Sequence, residues 1–340
     1  MNEYGGYIEL DTYRLTMLHE GAVALDCGRN CLAYLFGTRK IKKLRLPHYM
    51  CDSVFNVCKK YGVEVSCYHI NESFMPEDIT LGDDEWLYVM NYYGQLKREQ
   101  LNELKEKYGR VIFDNAQAYF DEPVEGSDTI YTCRKFFGVS DGAFLYTDRL
   151  SEEEYPVDES FDRMRFLLGR YERSASEFYA EYSANNHQFA DAPIRRMSAL
   201  TNNLLHGIDY GFVKQRRTKN FETYNTLLGR INQLELRVPE GAFAYPLLIG
   251  NGSAVRKALQ QEKIYIPTLW PNVVNDSGAD SWERFAAENI LPLPCDQRYD
   301  AEAVGYIAAE VRKHICQNQV VYKTRPLTGP FIRRGSADGL

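Results

Sequence analysis

The feature that most restricts how this 340-residue chain can fold is a repeated alternation of strand and helix signals between about residues 20 and 150. The strand signals are short apolar runs, and the helix signals carry apolar residues at helical spacing. In chain order, the segments are helix 28–37, strand 43–49, helix 51–62, strand 63–70, strand 86–94, helix 98–109, the strand that opens 110–120, strand 128–132 and strand 142–147. This order indicates βαβ units and a mainly parallel sheet with helices on both faces.

The second half of the chain has a different pattern. Residues 151–190 are charged, aromatic and helical, and residues 195–231 indicate one or two long helices that lead to a second domain. The later segments are the run YPLLIGN at 245–251, helix 253–263, strand 264–270 and helix 300–315. We therefore expect an α/β protein whose three-layer αβα large domain covers 1–220, including interdomain helices from about 195. A smaller C-terminal α+β domain would follow at 221–318, and an extended tail at 319–340.

Composition excludes several classes of function. The net charge is −7 and no basic block occurs, so neither nucleic acid nor an anionic membrane is expected as the main partner. No apolar run approaches the roughly 18 residues of a membrane span, and the start MNEYGGYIEL has no signal-peptide core. The eight cysteines form no C-x-x-C pair and the six histidines have no metal-ligand spacing. We expect a cytoplasmic protein with free thiols and no metal site.

Polar or small residues follow the strands of the first half of the chain. In a parallel α/β sheet, ligands bind beyond the carboxyl ends of the strands, so these residues are the first candidates for a site. The five clusters are Cys27-Gly28-Arg29-Asn30, His48-Tyr49-Met50-Cys51, Asn91-Tyr92-Tyr93-Gly94, Asp114-Asn115-Ala116-Gln117 and Thr132-Cys133-Arg134-Lys135. We expect all five to meet at one edge of the sheet.

Two of these clusters contain opposite charges. Lys135 lies on a short loop between two strands, in the sequence YTCRKFFGVSDGA, and Asp114 ends an apolar strand 21 residues earlier. The lysine is either a surface residue with apolar neighbours or an amine that is needed inside. Asp114 either caps the next turn or faces a cation, and a buried ion pair of the two would contribute little stability. The other use of such a pair is to bind pyridoxal phosphate (PLP), with the lysine as Schiff-base residue and the carboxylate at the pyridine nitrogen.

PLP also needs a site for its phosphate. Gly28, Arg29 and Asn30 stand at the start of a predicted helix, where free backbone N–H groups and the helix dipole attract anions. Thr132, three residues before the lysine, offers a hydroxyl group. Each signal is weak alone, but phosphate site, carboxylate and lysine occur together in one β/α domain.

The chain resembles the DegT/StrS-type nucleotide-sugar aminotransferases, which belong to the aspartate-aminotransferase-like (fold type I) PLP enzymes. The segments that carry the resemblance are GRNCLAYL, LPHYMCDSVFNVCKKYGVEVSCYHI, VMNYYGQL, VIFDNAQA, RRMSALTNNLL and ENILPLPCDQRYDAEAVGYIAAEVR. Together they cover about residues 20–316.

The resemblance assigns roles to individual residues. Lys135 would form the Schiff base and move protons, Asp114 would pair with the pyridine nitrogen, and Gln117 would lie against the ring. Gly28, Arg29 and Asn30 would bind the phosphate, with Thr132 in the place of the family's serine. The resemblance further implies a homodimer with active sites near the subunit interface.

The sequence departs from the family pattern at several positions. Thr132 is about two residues closer to Lys135 than the family's serine is. The ring-stacking aromatic falls at Cys51, so that Tyr49 is its possible substitute. The asparagine that reaches the partner's phosphate falls at Ile194, which leaves Arg195 or Arg196 as replacements in trans.

The resemblance implies that the protein transfers an amino group from an amino-acid donor, glutamate by analogy, to a keto group of a nucleotide-linked sugar in surface-polysaccharide or amino-sugar biosynthesis. Two alternatives stay open, because one fold hosts many functions. One is a PLP-dependent lyase or dehydratase. The other is a binding or regulatory protein that keeps the fold while its catalytic residues have eroded.

Overall fold

The computed structural model describes residues 4–322, with side chains described as far as residue 316. Its centre is an eight-stranded sheet in the order β1-β8-β7-β6-β5-β2-β3-β4. The strands are β1 Val23–Leu25, β2 Lys43–Pro47, β3 Glu64–Ile70, β4 Pro76–Glu77, β5 Glu85–Met90, β6 Val111–Asp114, β7 Asp128–Thr132 and β8 Ala143–Tyr146. The five central strands β7, β6, β5, β2 and β3 are parallel, and β8, β1 and β4 join by antiparallel pairing.

Helices join the parallel strands, as the alternation in the sequence predicts. These are α1 Gly28–Thr38, α2 Asp52–Lys60 and α3 Arg98–Tyr108. The bounds of α3 follow from local chemistry, because Gln100 accepts from the Lys97 N–H at the start and Gly109 takes a φ of 69° at the end. Four more helices follow the sheet: α4 Arg165–Glu172, α5 Tyr179–Gln188, α6 Ala199–Leu205 and α7 Tyr210–Leu228.

A second, smaller sheet lies in the C-terminal part. It consists of β9 Ala244–Leu248 and β10 Ile290–Pro294, which pair antiparallel. Its helices are α8 Gly252–Gln261, α9 Ser281–Asn289 and α10 Ala301–Tyr322. One buried cluster joins β9 and β10 to α8, α10 and the end of α7, through residues such as Phe221, Leu247, Leu291 and Val311. A division of the chain into 1–220 and 221–318 remains our proposal, and α7 crosses that boundary.

The predicted fold class is confirmed, and two local predictions are wrong. Residues 264–270 form no strand, because the Ile264 N–H donates to the Leu259 carbonyl at the end of α8, at 2.9 Å, and Pro267 has no N–H to donate. The side chains of Ile264 and Ile266 are buried in the cluster of the C-terminal part instead. Residues 319–322 are not extended, because α10 continues to Tyr322; the rest of the predicted tail lies outside the described residues. Within residues 4–322, no helix combines the length and apolar character needed to cross a bilayer.

Candidate active site

The five polar clusters predicted from the sequence lie at one edge of the large sheet. They follow β1, β2, β5, β6 and β7, and these five strands run in the same direction. The edge is divided by chemistry. The ends of β1, β6 and β7 carry charged and amide side chains, whereas the ends of β2 and β5 carry tyrosines.

Asp114 is the last residue of β6, and its carboxylate is held in place. The side chain is buried, with 6% of the residue exposed. Its two oxygens accept hydrogen bonds from the Tyr88 hydroxyl at 2.7 Å and from the Ala116 N–H at 2.8 Å. Burial raises the pKa of Asp114, and the positive charge of Lys135 opposes that rise. The carboxylate and the lysine predicted to work together are therefore near enough to interact electrostatically.

Lys135 lies in the turn that follows β7, and its side chain is exposed. The turn is closed by the N–H groups of Phe136 and Phe137, which both donate to the Cys133 carbonyl at 2.9 Å. The Lys135 Nζ lies 5.7 Å from the centre of the Phe243 ring, which belongs to the C-terminal part of the chain. Among residues 4–322, no ion pair within 4.0 Å joins Lys135 to Asp114. The amine is thus accessible and is not engaged in a structural ion pair with the buried carboxylate.

The backbone at the start of α1 has the character of an anion site. Cys27 precedes the helix in an extended conformation and provides no side-chain cap. Within the described residues, the N–H groups of Gly28 and Arg29 donate to no protein acceptor, as is usual in a first helical turn. A Cβ atom placed on Gly28 would lie 3.7 Å from Cγ2 of Ile130 in β7, so this helix start adjoins the strand that ends at the half-buried Thr132.

The side chains of this helix start are engaged elsewhere. Arg29 donates through Nη2 to the Asn186 carbonyl at 3.1 Å. Asn30 donates through Nδ2 to both carboxylate oxygens of Asp26, at 2.8 and 3.0 Å, and to the Pro193 carbonyl at 2.9 Å. Backbone N–H groups, rather than these side chains, are therefore what this site offers to an anion.

Two residues expected at the cofactor ring have other contacts. Tyr49 is fully buried, and its ring centre lies 4.5 Å from that of Trp270 and 5.4 Å from that of Tyr92. The Gln117 Oε1 accepts the N–H of Tyr93 at 2.8 Å. That N–H is available because Tyr93 takes a φ of 53°, which turns its backbone away from the strand geometry of β5.

Cys51, at the family's stacking position, is half-buried just before α2. Its Sγ lies 2.9 Å from the Ser53 hydroxyl. Cys51 and Tyr49 thus both follow β2, but the thiol is half-buried whereas the Tyr49 ring is fully buried.

The arginines near this edge already have partners within the protein. Arg134 donates to the Asn186 Oδ1 and stacks on Phe189, with its guanidinium carbon 4.6 Å from the ring centre. Arg195 forms an ion pair with Asp158 at 3.2 Å, and Arg196 donates its backbone N–H to the Pro156 carbonyl. Ile194 packs against the core of the large sheet.

Sequence reasoning missed an acidic group behind the helix start. Asp26 is buried, and burial raises its pKa to about 7, with further rises from Asp158 and Asp141 and an opposing hydrogen bond from Asn30. Asp26 and Asp158 line a cavity of about 350 Å³ together with Arg163 and other residues. The same rule that selected residues after strand ends would have found Asp26, which directly follows β1.

Comparisons with solved structures identify the fold. A DegT/DnrJ/EryC1/StrS aminotransferase from Brucella abortus superposes with a TM-score of 0.58 at 14% identity, over 87% of this chain and 86% of that chain. The Helicobacter pylori aminotransferase PseC gives 0.60 at 13% identity, over 87% of each chain. The candidate sugar aminotransferase Spr1654 from Streptococcus pneumoniae, in its PLP form, gives 0.60 at 13% identity over 88% of this chain and 89% of that chain.

The chain therefore has the fold of the DegT/StrS-type sugar aminotransferases, the fold that its sequence resemblance implies. No protein-family model matches the sequence, and no curated protein matches it either. The likeness is thus one of fold, over 87% of this chain at 13–14% sequence identity.

Proposed function

We propose that this protein is a PLP-dependent aminotransferase that moves an amino group from an amino-acid donor to a keto sugar. The observation that carries the proposal is that the accessible Lys135 amine and the buried Asp114 carboxylate come from the ends of two adjacent parallel strands, at the sheet edge that also holds the start of α1. Three groups that PLP requires, in separate parts of the sequence, are brought to one edge by the fold. The structural neighbours support the proposal, since they are described as sugar aminotransferases.

The residues present fit the cofactor. The Gly28 and Arg29 N–H groups would hold the phosphate, with the Thr132 hydroxyl beside them. Asp114 would hold its negative charge at the pyridine nitrogen, since the Tyr88 and Ala116 hydrogen bonds fix its two oxygens. Lys135 would bind the cofactor covalently and move a proton at the reacting carbon. When bound, PLP supplies an electron-accepting ring that carries the amino group between the two substrates.

The substrates are proposed by analogy. Glutamate is the donor that the family resemblance implies, and a nucleotide-linked sugar in polysaccharide or amino-sugar biosynthesis is the implied acceptor. A single site that serves the two in turn predicts ping-pong kinetics.

We further propose a homodimer in the cytoplasm. Large aromatic side chains are exposed on and near α4 and α5, among them Tyr171 at 92% and Phe161 at 75%, which is unusual for a free surface. All eight cysteines are free, as is common in a reducing compartment. Whether Arg195 or Arg196 reaches the partner's site is part of this proposal, and Arg195 would have to leave Asp158 to do so.

The test is covalent binding of PLP. The purified protein is mixed with PLP, reduced with borohydride and digested, and mass spectrometry locates the modified lysine. We expect modification of Lys135 and its complete loss in Lys135→Ala, while Lys219→Ala, which removes an exposed lysine on α7, behaves as wild type. A protein that binds no PLP would contradict the proposal and favour the binding or regulatory alternative.

A second measurement separates the reaction types. Glutamate added to the PLP-bound protein should convert the cofactor to pyridoxamine phosphate in a single turnover, which chromatography of the released cofactor detects. Covalent binding without this conversion, for glutamate and for the other amino acids, would contradict an aminotransferase and favour a lyase or dehydratase.

A further inference from the structure

A buried arginine contacts the turn that carries Lys135. Arg217, on α7, is 1% exposed. Its Nη2 donates to the Phe136 carbonyl at 3.0 Å, its Nη1 to the Ala242 carbonyl at 3.0 Å, and its Nε to the Gln297 Oε1 at 2.9 Å. One guanidinium thus joins the residue after Lys135 to two segments of the C-terminal part of the chain.

The partners of this arginine are dipoles rather than a carboxylate. Asp296 is the acid that most affects Arg217, but its two oxygens accept from Arg298 at 2.6 and 2.9 Å. Burial lowers the pKa of Arg217 to about 10. A buried charge is costly unless every hydrogen-bond partner is in place, so the carbonyl groups around Arg217 must stay where they are.

The Phe136 carbonyl is held twice. Gln297 donates to it through Nε2 at 2.9 Å, while its Oε1 accepts from Arg217. The guanidinium carbon of Arg217 also lies 4.6 Å from the centre of the Phe136 ring. Arg217, Gln297 and Phe136 therefore form a closed triangle of contacts, and Lys135 is covalently attached to one corner of it.

We propose that Arg217 and Gln297 are positioning residues that hold the Lys135 turn against the C-terminal part of the chain, so that the amine stays beside Asp114. The proposal rests on the proposed function in that it assigns the position of the cofactor-binding lysine to this contact. The two oxygens of Asp114 are fixed by the Tyr88 hydroxyl and the Ala116 N–H, whereas Lys135 is an exposed residue in the turn that follows β7. The turn therefore depends on an outside support that the carboxylate does not need.

A second arginine of the same kind provides the matched control. Arg256, on α8, donates to the Glu288 carbonyl at 2.9 Å and to the Ile290 carbonyl at 2.7 Å. It also holds backbone carbonyl groups from a partly buried position, and burial lowers its pKa too. It differs from Arg217 in that its partners are remote in sequence from the lysine turn.

The test compares Arg217→Lys and Gln297→Glu with Arg256→Lys. Lysine keeps the charge at position 217 but loses the guanidinium fork. Glutamate at position 297 still accepts from Arg217 but, when ionised, has no hydrogen to donate to the Phe136 carbonyl. The two variants thus weaken the hold on Phe136 from opposite sides of the triangle, and Gln297→Glu does so without stranding the arginine.

The first readout needs no cofactor. Hydrogen exchange of the amides in residues 133–139, measured by mass spectrometry on the cofactor-free protein, should be about tenfold faster in Arg217→Lys and Gln297→Glu than in wild type. Exchange in the sheet strands should be unchanged in both, and Arg256→Lys should show wild-type exchange at 133–139. Wild-type exchange at 133–139 in both folded variants would overturn the proposal, whether or not the protein binds PLP.

The second readout follows the lysine itself. At saturating PLP, the rate of covalent attachment to Lys135 should fall about tenfold or more in both variants, while the concentration of PLP that half-saturates the rate stays near its wild-type value. A purely stabilising role for Arg217 would lower the midpoint of thermal unfolding and leave this rate unchanged in the folded protein, which would also overturn the proposal. Wild-type protein that attaches no PLP would defeat the proposed function alone, because the exchange measurement still decides the support of the turn.

Discussion

The two halves of the sheet edge have the same strand topology but different side chains. At the ends of β1, β6 and β7, the side chains are charged or amide groups, and the Lys135 amine is exposed beside the buried Asp114. At the ends of β2 and β5, the rings of Tyr49, Tyr92 and Tyr93 are fully buried. The first half holds reactive groups, and burying its carboxylates is unfavourable. In the second half, the tyrosine rings are shielded from water.

The C-terminal part of the chain contacts both halves in ways that match this difference. It meets the aromatic half through Trp270, whose ring centre lies 4.5 Å from that of Tyr49. It meets the polar half through Gln297, which donates to the Phe136 carbonyl, and through Ala242, whose carbonyl shares the Arg217 guanidinium with that of Phe136. Aromatic packing is tolerant of direction and contributes stability by area, whereas hydrogen bonds set position. We therefore expect substitutions in the aromatic half to change folding stability and substitutions in the polar half to change the rate of amino transfer.

The largest expected effect on stability is that of Trp270→Ala. Trp270 is 4% exposed and packs against Tyr49, Tyr92 and Tyr93, so its removal leaves a cavity in a dry cluster. We expect a loss of about 3–5 kcal/mol in the free energy of unfolding, measured by denaturant titration. Leu150→Ala, at a 70% exposed position, should change it by less than about 0.5 kcal/mol. Equal losses in the two variants would contradict the expectation that the aromatic half contributes mainly to folding stability.

Asp26→Asn tests whether the buried Asp26 carboxylate makes folding stability depend on pH. The folded-state pKa of Asp26 is about 7 against 3.8, so the folded protein binds this proton more tightly than the unfolded chain. The contribution of Asp26 to stability is therefore present at low pH and is lost as the pH rises from about 4 to about 7, by up to about 4 kcal/mol. The variant should lack this loss, so its advantage over wild type grows between pH 4 and 7.

The difference between the two proteins, measured by denaturant titration across this pH range, isolates Asp26. Burial lowers the pKa of His19 to about 4, which makes wild-type stability fall as the pH drops from 6.5 to 4. That effect is common to both proteins and cancels. Parallel stability curves for wild type and Asp26→Asn would show that the carboxylate is not penalised by its burial.

Asp114→Asn should separate chemistry from stability most clearly. We expect the single-turnover amino transfer to fall about 100-fold to 1,000-fold, because a neutral amide no longer stabilises positive charge at the pyridine nitrogen. The thermal midpoint of the cofactor-free protein should be unchanged or higher, since burial penalises the charged Asp114. A lower midpoint with normal turnover would reverse the assignment of this residue.

The smallest effect is expected for Gln117→Leu. Gln117 follows β6 in the polar half and accepts the N–H of Tyr93 in the aromatic half. Removal of Oε1 leaves the buried Tyr93 N–H without its acceptor, which costs about 1–3 kcal/mol of unfolding free energy. Gln117→Glu keeps an acceptor oxygen and should restore most of that loss. If Gln117 instead acts at the cofactor ring, as the resemblance implies, Gln117→Leu should weaken PLP binding at unchanged stability.

Much of the fold could be predicted because it depends on local patterns. The apolar strands β6 and β7, and the capped helix α3, are marked by periodicity and by Gly109 within short stretches of sequence. The strand at 264–270 was predicted from an apolar run alone, and the structure buries those residues against other elements instead. Periodicity identifies which side chains are buried but does not identify what covers them.

The order of strands and helices is encoded locally in the sequence, and so is the position of Gly28, Asp114, Thr132 and Lys135 at or just beyond strand ends. Parallel strands then bring those residues to one edge, because each crossover returns the chain in the same direction. Only the tertiary structure decided which of the side chains at that edge stay available. Gln117 and Tyr49 are occupied by neighbours distant in sequence, and Lys135 is exposed on a turn that Arg217 holds from 82 residues away. Such contacts depend on how whole helices and strands pack together, and local sequence patterns do not predict that packing.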